Sequence, residues 1–193
     1  MIKAQHKKWA DQLFKIYILR LMRKHFYSFN VLGHLPSIPK KTPILLLPNH
    51  STWWDGFFIY LLNLKVLRRP LYLMMLEEQL AKYSFFSKVG AYSIRLDNPK
   101  SVLQSMKYTL EILHKDSQPA PLICIFPQGE MFPPSLRPIK VKTGFQWILK
   151  HTERALTVVP LGMRIEYLDQ QLPEVFFQFF SEPDKDSSTI DSD

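Results

Sequence analysis

Leu122-Ile123-Cys124-Ile125-Phe126-Pro127-Gln128-Gly129-Glu130 is the stretch on which the fold turns. Residues 122–126 are apolar without interruption. A strand with one wet face alternates apolar and polar residues, whereas a strand buried on both faces reads as a continuous apolar run. The run predicts a strand inside a doubly covered sheet. Pro127 and Gly129 end it in a tight turn, with the polar Gln128 and Glu130 at the edge of the sheet.

The same grammar repeats on both sides of this stretch. Upstream, Ile44–Leu47, Leu71–Leu76 and Ala91–Leu96 read as strands; downstream, Leu156–Leu161 and Val175–Phe180 do. Helical stretches separate them: 55–67, then 77–88 with a break at Tyr83-Ser84, then Pro99–Lys115 and Thr143–Thr152. Pro99 at a first turn after Asp97 or Asn98 is a helix-start signal. Residues 127–142 form a long loop with four prolines. Alternating strands and helices predict an α/β fold with a mostly parallel central sheet covered by helices.

A chain of 193 residues suggests one folded domain. Its one cysteine, Cys124, forbids an internal disulfide and any cysteine-based zinc site, and no metal site is expected. Residues 1–41 hold nine Lys or Arg and one acid, whereas residues 42–193 hold sixteen of each sign. The whole excess of +8 therefore sits in an N-terminal arm, whose residues 3–30 lack Pro and Gly and read as helix. Its bases alternate with Trp9, Leu13, Phe14, Ile16, Tyr17 and Ile18. That mixture favours a membrane surface over nucleic acid, because so much apolar surface needs an apolar neighbour. Packing on the protein's own core is the competing reading, and both can hold. No transmembrane span or signal peptide is visible, so the expectation is a cytoplasmic protein, peripheral on the inner face of a membrane. The division expected is a basic arm (1–41), a catalytic domain (42–181) and an acidic, disordered tail (182–193).

Four segments carry the candidate chemistry. Pro48-Asn49-His50-Ser51-Thr52-Trp53-Trp54-Asp55-Gly56 follows a strand and opens a helix, where α/β folds place their sites. Histidine can take a proton from an alcohol near neutral pH, and a carboxylate on its other ring nitrogen would fix the tautomer. Ser51 reads as a helix cap. Phe126-Pro127-Gln128-Gly129-Glu130 is the second, with Gly129 allowing close approach of backbone to a ligand. Gly90-Ala91-Tyr92-Ser93-Ile94-Arg95 delivers a lone Arg95, either for anion capture or for a surface ion pair with Asp97. Val158-Val159-Pro160-Leu161-Gly162 sets a proline inside an apolar strand. Cys124 lies within its strand as a small hydrophobe, not a nucleophile. An aromatic and methionine set around the first segment, including Trp53, Trp54, Phe57, Phe58 and Met74, is either core or the wall of an acyl groove; core is expected for most of it.

Taken in order, the four segments resemble the glycerolipid and lysophospholipid acyltransferases of the 1-acylglycerol-3-phosphate acyltransferase type. That family carries Asn-His-x4-Asp, then Gly-x5-Arg, Phe-Pro-Glu-Gly-Thr and a Val-Pro strand. The resemblance covers roughly residues 42–165. It implies that His50 is the general base and Asp55 its partner, with Asn49, Arg95, Phe126, Pro127, Gln128, Gly129 and Glu130 binding substrate. It further implies an acyl-CoA or acyl carrier protein co-substrate, no cofactor, a membrane lipid as acceptor, and an N-terminal helical segment on the bilayer. Two departures stand out. Gln128 replaces the family's Glu, and Arg95 comes one residue early after Gly90, which on a strand reverses its face. These weigh against lysophosphatidic acid and leave a lysophospholipid, a glycolipid or a glycosylated terpenoid open as acceptor, with Arg137, Lys140 and Lys142 as alternative sources of positive charge. A thioesterase, or a catalytically silent lipid-binding protein of the same fold, are the alternative functions.

Overall fold

The computed structural model describes residues 1–33 and 37–180. The acidic tail predicted for 182–193 lies outside the described residues, as does part of the connector predicted for 33–43.

Strands β1 (Phe29–Leu32), β2 (Ile44–Pro48), β3 (Leu71–Leu76), β4 (Ala91–Ile94), β5 (Leu122–Cys124), β6 (Thr157–Glu166) and β7 (Glu174–Phe179) form one sheet in the order β1-β7-β6-β2-β5-β3-β4. Every neighbouring pair is parallel except β6 and β7. The helices are α1 (Lys8–His25), α2 (Asp55–Leu62), α3 (Glu77–Lys82), α4 (Pro99–Leu113) and α5 (Gly144–His151). A π turn, Asn63–Leu67, extends α2, and a 3-10 segment, Ser84–Val89, follows α3, so the helix does break at Tyr83.

The apolar run that set the expectation does lie mid-sheet, with β5 between β2 and β3. Its residues alternate between two cores. Leu122 and Cys124, with Ile44 and Leu46 of β2, join α1 and α2 on one face. Ile123 and Ile125, with Leu45 of β2, join α4 and α5 on the other. Residues buried on both faces have no polar position to offer, which is why the sequence is continuous there. Asn98 caps α4, its side-chain oxygen accepting from the backbone N–H of Lys100 and Ser101, with Pro99 in the first turn.

The N-terminal arm departs from expectation. Only residues 8–25 of the predicted 3–30 are helical. Before them the chain is extended along β4: Ser93 N donates to Ile2 O at 2.9 Å, and Ile2 N to Ser93 Oγ at 2.7 Å. After them Phe29–Leu32 becomes β1, paired with β7. These tertiary hydrogen bonds replace helical ones, so helix propensity loses at both ends. In α1, Ala10, Phe14, Ile18 and Met22 recur every four residues and are buried in the α2 core. Burying Phe14, Ile18 and Met22 contributes about 1.5–3 kcal/mol each. Trp9, Leu13, Ile16 and Tyr17 of the same helix are exposed.

Strand β6 runs through Pro160 to Glu166, beyond the predicted end at Leu161. Leu161–Glu166 is held by antiparallel pairing with β7. Pro160 O still accepts from Phe180 N at 3.2 Å, so the missing proline N–H falls at the end of that ladder.

Candidate active site

Strands β2 and β5 are parallel neighbours, so their C-terminal ends open on the same edge of the sheet. The chain leaves β2 at Pro48, turns through residues 49–54 and enters α2 at Asp55. That turn closes the five-residue gap. His50 Nδ1 lies 2.8 Å from Asp55 Oδ2. The same oxygen accepts from the backbone N–H of Ser51 at 2.7 Å and of Thr52 at 3.0 Å, while Thr52 Oγ1 donates to Oδ1 at 2.6 Å. Asp55 is 3% exposed and starts a helix, where negative charge is favoured. A carboxylate so surrounded accepts the Nδ1 proton, which leaves Nε2 as the free basic nitrogen of His50. The His50 side chain is 23% exposed, enough for a substrate to reach it.

The β5 turn grips the same histidine from the other side. The Phe126 ring stacks on the imidazole with centroids 4.2 Å apart and planes 22° from parallel. Gln128 Oε1 accepts from His50 N at 2.5 Å, and His50 O accepts from Phe132 N at 3.0 Å. From β6, Met163 N donates to Asn49 Oδ1 at 2.6 Å and Met163 O accepts from Asn49 Nδ2 at 3.0 Å. Asn49 therefore spends its amide on the neighbouring strand, tying the end of β2 in place. Ser51 does not cap α2 as expected. Its hydroxyl accepts from Asn49 Nδ2, and Thr52 Oγ1 takes the Trp54 N–H instead.

Gly129 has φ +74°, a conformation that favours glycine. The space above it is filled by the Lys142 side chain, whose Nζ would lie 2.9 Å from an added Cβ. Lys142 thus reaches the turn directly, held by its own N–H on Pro127 O at 2.8 Å. Glu130 is exposed and makes no side-chain hydrogen bond or ion pair among the described residues. Arg95 is not brought to this cluster. It follows β4, an edge strand, is 48% exposed and pairs with Asp97 at 3.3 Å. Cys124 is buried in β5, and burial pushes its thiol well above the usual range, so it stays protonated and inert. Of the aromatic set, Phe57, Phe58 and Met74 are core, whereas Trp53 stands exposed between the paired residues in sequence.

Beside the pair is a largely apolar cavity of about 700 Å³. Loop 127–142 roofs it, through Phe132, Leu136 and Ile139 among others, over the face of β6 and β7 that carries Gly162 and Phe176. Asn49, Ser51 and Gln128 form part of its wall. Sequence reasoning misses this cavity, because its walls come from segments far apart in the chain. The one signal was the prolines, which keep a long apolar loop from becoming helix or strand.

Comparison with known proteins agrees with this architecture. The family model described as Acyltransferase matches residues 31–164. No curated protein matches the sequence. Among solved structures, the chain is similar to the 1-acyl-sn-glycerophosphate (LPA) acyltransferase PlsC from Thermotoga maritima, with a TM-score of 0.54 at 14% identity, covering 90% of this chain and 68% of that one. At that identity the likeness speaks to the fold. The family match runs from β1 to β6 and spans both His50 and Asp55; the chain belongs to the acyltransferase family.

Proposed function

We propose that this acyltransferase moves a fatty acyl group from a thioester, acyl-CoA or an acyl carrier protein, onto the hydroxyl of a membrane lipid, with His50 as general base. The observation that carries the reading is the His50–Asp55 pair at 2.8 Å beside an apolar cavity of about 700 Å³. Asp55 holds the Nδ1 proton, so Nε2 accepts the proton of the lipid hydroxyl as its oxygen attacks the thioester carbonyl. The tetrahedral intermediate then collapses, the C–S bond breaks, and the thiolate leaves with the proton returned from His50. General-base help of this kind is worth roughly 10² to 10⁴ in rate. The cavity offers the acyl chain an apolar lining, and Lys142 and Arg137 offer positive charge for an anionic headgroup or carrier phosphate.

The lipid acceptor implies a surface on which to meet it. No helix among the described residues is long and apolar enough to cross a membrane. The exposed Trp9, Leu13, Ile16 and Tyr17 of α1, flanked by Lys8, Lys15 and Arg20, suit contact with an anionic leaflet, and Trp53 carries exposed aromatic surface to the turn that holds His50. In this reading the protein is peripheral, on the cytoplasmic face.

The test is incubation of the wild type and His50→Ala with radiolabelled palmitoyl-CoA, a total lipid extract and anionic vesicles. A new labelled lipid formed by the wild type alone supports the reading. Free fatty acid as the sole product makes the enzyme a thioesterase. No product with either acyl-CoA or an acyl carrier protein sinks the catalytic reading and leaves a lipid-binding protein.

A further inference from the structure

We infer that Gln128 is a positioning residue for catalysis: its carboxamide oxygen holds the backbone of His50, so that it acts as a hydrogen-bond acceptor beneath the base and not chiefly as a contact to the acceptor lipid. This rests on the acyl-transfer reading above for its kinetic consequence, but its structural content stands on geometry alone.

His50 sits just past the last residue of β2, where the sheet no longer supplies a partner for its N–H. A buried backbone N–H without a partner is costly, and β5 supplies one through a side chain. Gln128 is only 5% exposed, and its Oε1 lies 2.5 Å from His50 N. Only the oxygen of a carboxamide can accept, so this bond fixes which way the amide faces. The same turn also holds the imidazole face through Phe126 and the His50 carbonyl through Phe132 N. Three contacts from residues 126–132 thus fix the N–H, ring and carbonyl of one residue, while Asp55 fixes the ring from its other edge. An imidazole stacked and bonded on all these sides cannot drift, and drift matters: a displacement of about 1 Å can cost a hundredfold in rate.

The role explains how Gln can stand where the Phe-Pro-Glu-Gly-Thr motif that the sequence resembles has Glu. Each offers an oxygen to the His50 N–H at the same reach. The rule is then that position 128 needs an acceptor, not a charge. The other amide atom, Nε2, makes no hydrogen bond to the described residues, and Gln128 lines the cavity. Exchanging it for a second oxygen changes what the cavity meets but leaves the grip on His50 intact.

The experiment compares wild type, Gln128→Glu and Gln128→Met, each as the full chain. Kinetics with palmitoyl-CoA and the accepted lipid separate kcat from KM. The His50 amide and imidazole protons are followed by NMR in ¹⁵N-labelled protein. Gln128→Met fills the same space with only a weakly accepting thioether sulfur and is expected to lose about 30- to 100-fold in kcat, with KM within about threefold and melting lowered by no more than a few degrees. Gln128→Glu is expected to keep kcat within about threefold, whatever it does to KM. The His50 amide should be exchange-protected in wild type and Gln128→Glu and unprotected in Gln128→Met. Full kcat in Gln128→Met overturns the inference, and so does an equal loss in a well-folded Gln128→Glu, since the amide N–H would then be what matters. If the wild type transfers no acyl group, the acyl-transfer reading fails by itself, and the amide protection pattern still decides whether Gln128 grips His50.

Discussion

Strands β2 and β4 run parallel in one sheet, and each ends in a basic side chain a few residues before an aspartate. Their fates differ. At β2, His50 meets Asp55 at 2.8 Å, the acid is 3% exposed, and the strands on both sides hold the turn: Gln128 and Phe126 through their side chains from beyond β5, and Met163 of β6 through its backbone on the Asn49 side chain. At β4, Arg95 meets Asp97 at 3.3 Å with both side chains largely in solvent. The reason is position. β2 is flanked by β5 and β6, whereas β4 is an edge strand with β3 on one side and only the N-terminal segment, bonded at Ser93, on the other. A base and an acid become a chemical device when neighbouring strands desolvate and orient them; left in water such a pair is worth little. The same sequence pattern, a base and an acid at the end of an apolar strand, carries chemistry only where the sheet surrounds it.

Substitutions can break this contrast. The largest effect should come from His50→Ala, expected to cut kcat by roughly 10² to 10⁴ while thermal melting stays within a few degrees. Full activity in that variant would end the distinction between the two strand ends. Asp55→Asn should cost nearly as much rate and also reduce stability. The carboxylate has four hydrogen-bond donors around it, and an amide in its place would set an N–H against one of them. About 1–3 kcal/mol should be lost in urea unfolding. An unchanged midpoint would show that the donors are satisfied some other way. Gly129→Ala tests the β5 side of the cage. It forces a side chain into φ +74° beneath Lys142, and should lower stability by about 1–3 kcal/mol and weaken activity through the displaced turn. Arg95→Ala should do least: kcat and KM within about twofold, with thermal melting unchanged. A tenfold rise in the KM of an anionic acceptor in that variant would bring Arg95 back to the substrate and erase the comparison.

Much of the fold was legible because local physics agrees with the tertiary result. The unbroken Leu122–Phe126 run announced a doubly covered strand, and Asn98-Pro99 announced the start of α4. The pairing of His50 with Asp55 was legible too, because the two residues are close in sequence and a single turn can join them. Where local preference and long-range pairing disagree, the reading failed. Residues 26–30 contain neither Pro nor Gly and read as helix, but β7 recruits Phe29–Leu32 as a parallel strand. Residues 162–166 look like the exit from a strand, but pairing with β7 carries β6 through to Glu166.

The sequence by itself determined the α/β class, the site's location after β2 and β5, and the likeness to acyltransferases, because each depends on runs and spacings a few residues long. Only the tertiary structure decided that Gln128 faces the backbone of His50, that Asn49 is spent on Met163, that Arg95 stays outside, and that loop 127–142 roofs a cavity over β6 and β7. Those outcomes join residues as many as 114 positions apart. Such contacts are set by strand order and by the need to satisfy each buried polar group, and strand order is a property of the whole chain, not of any window within it.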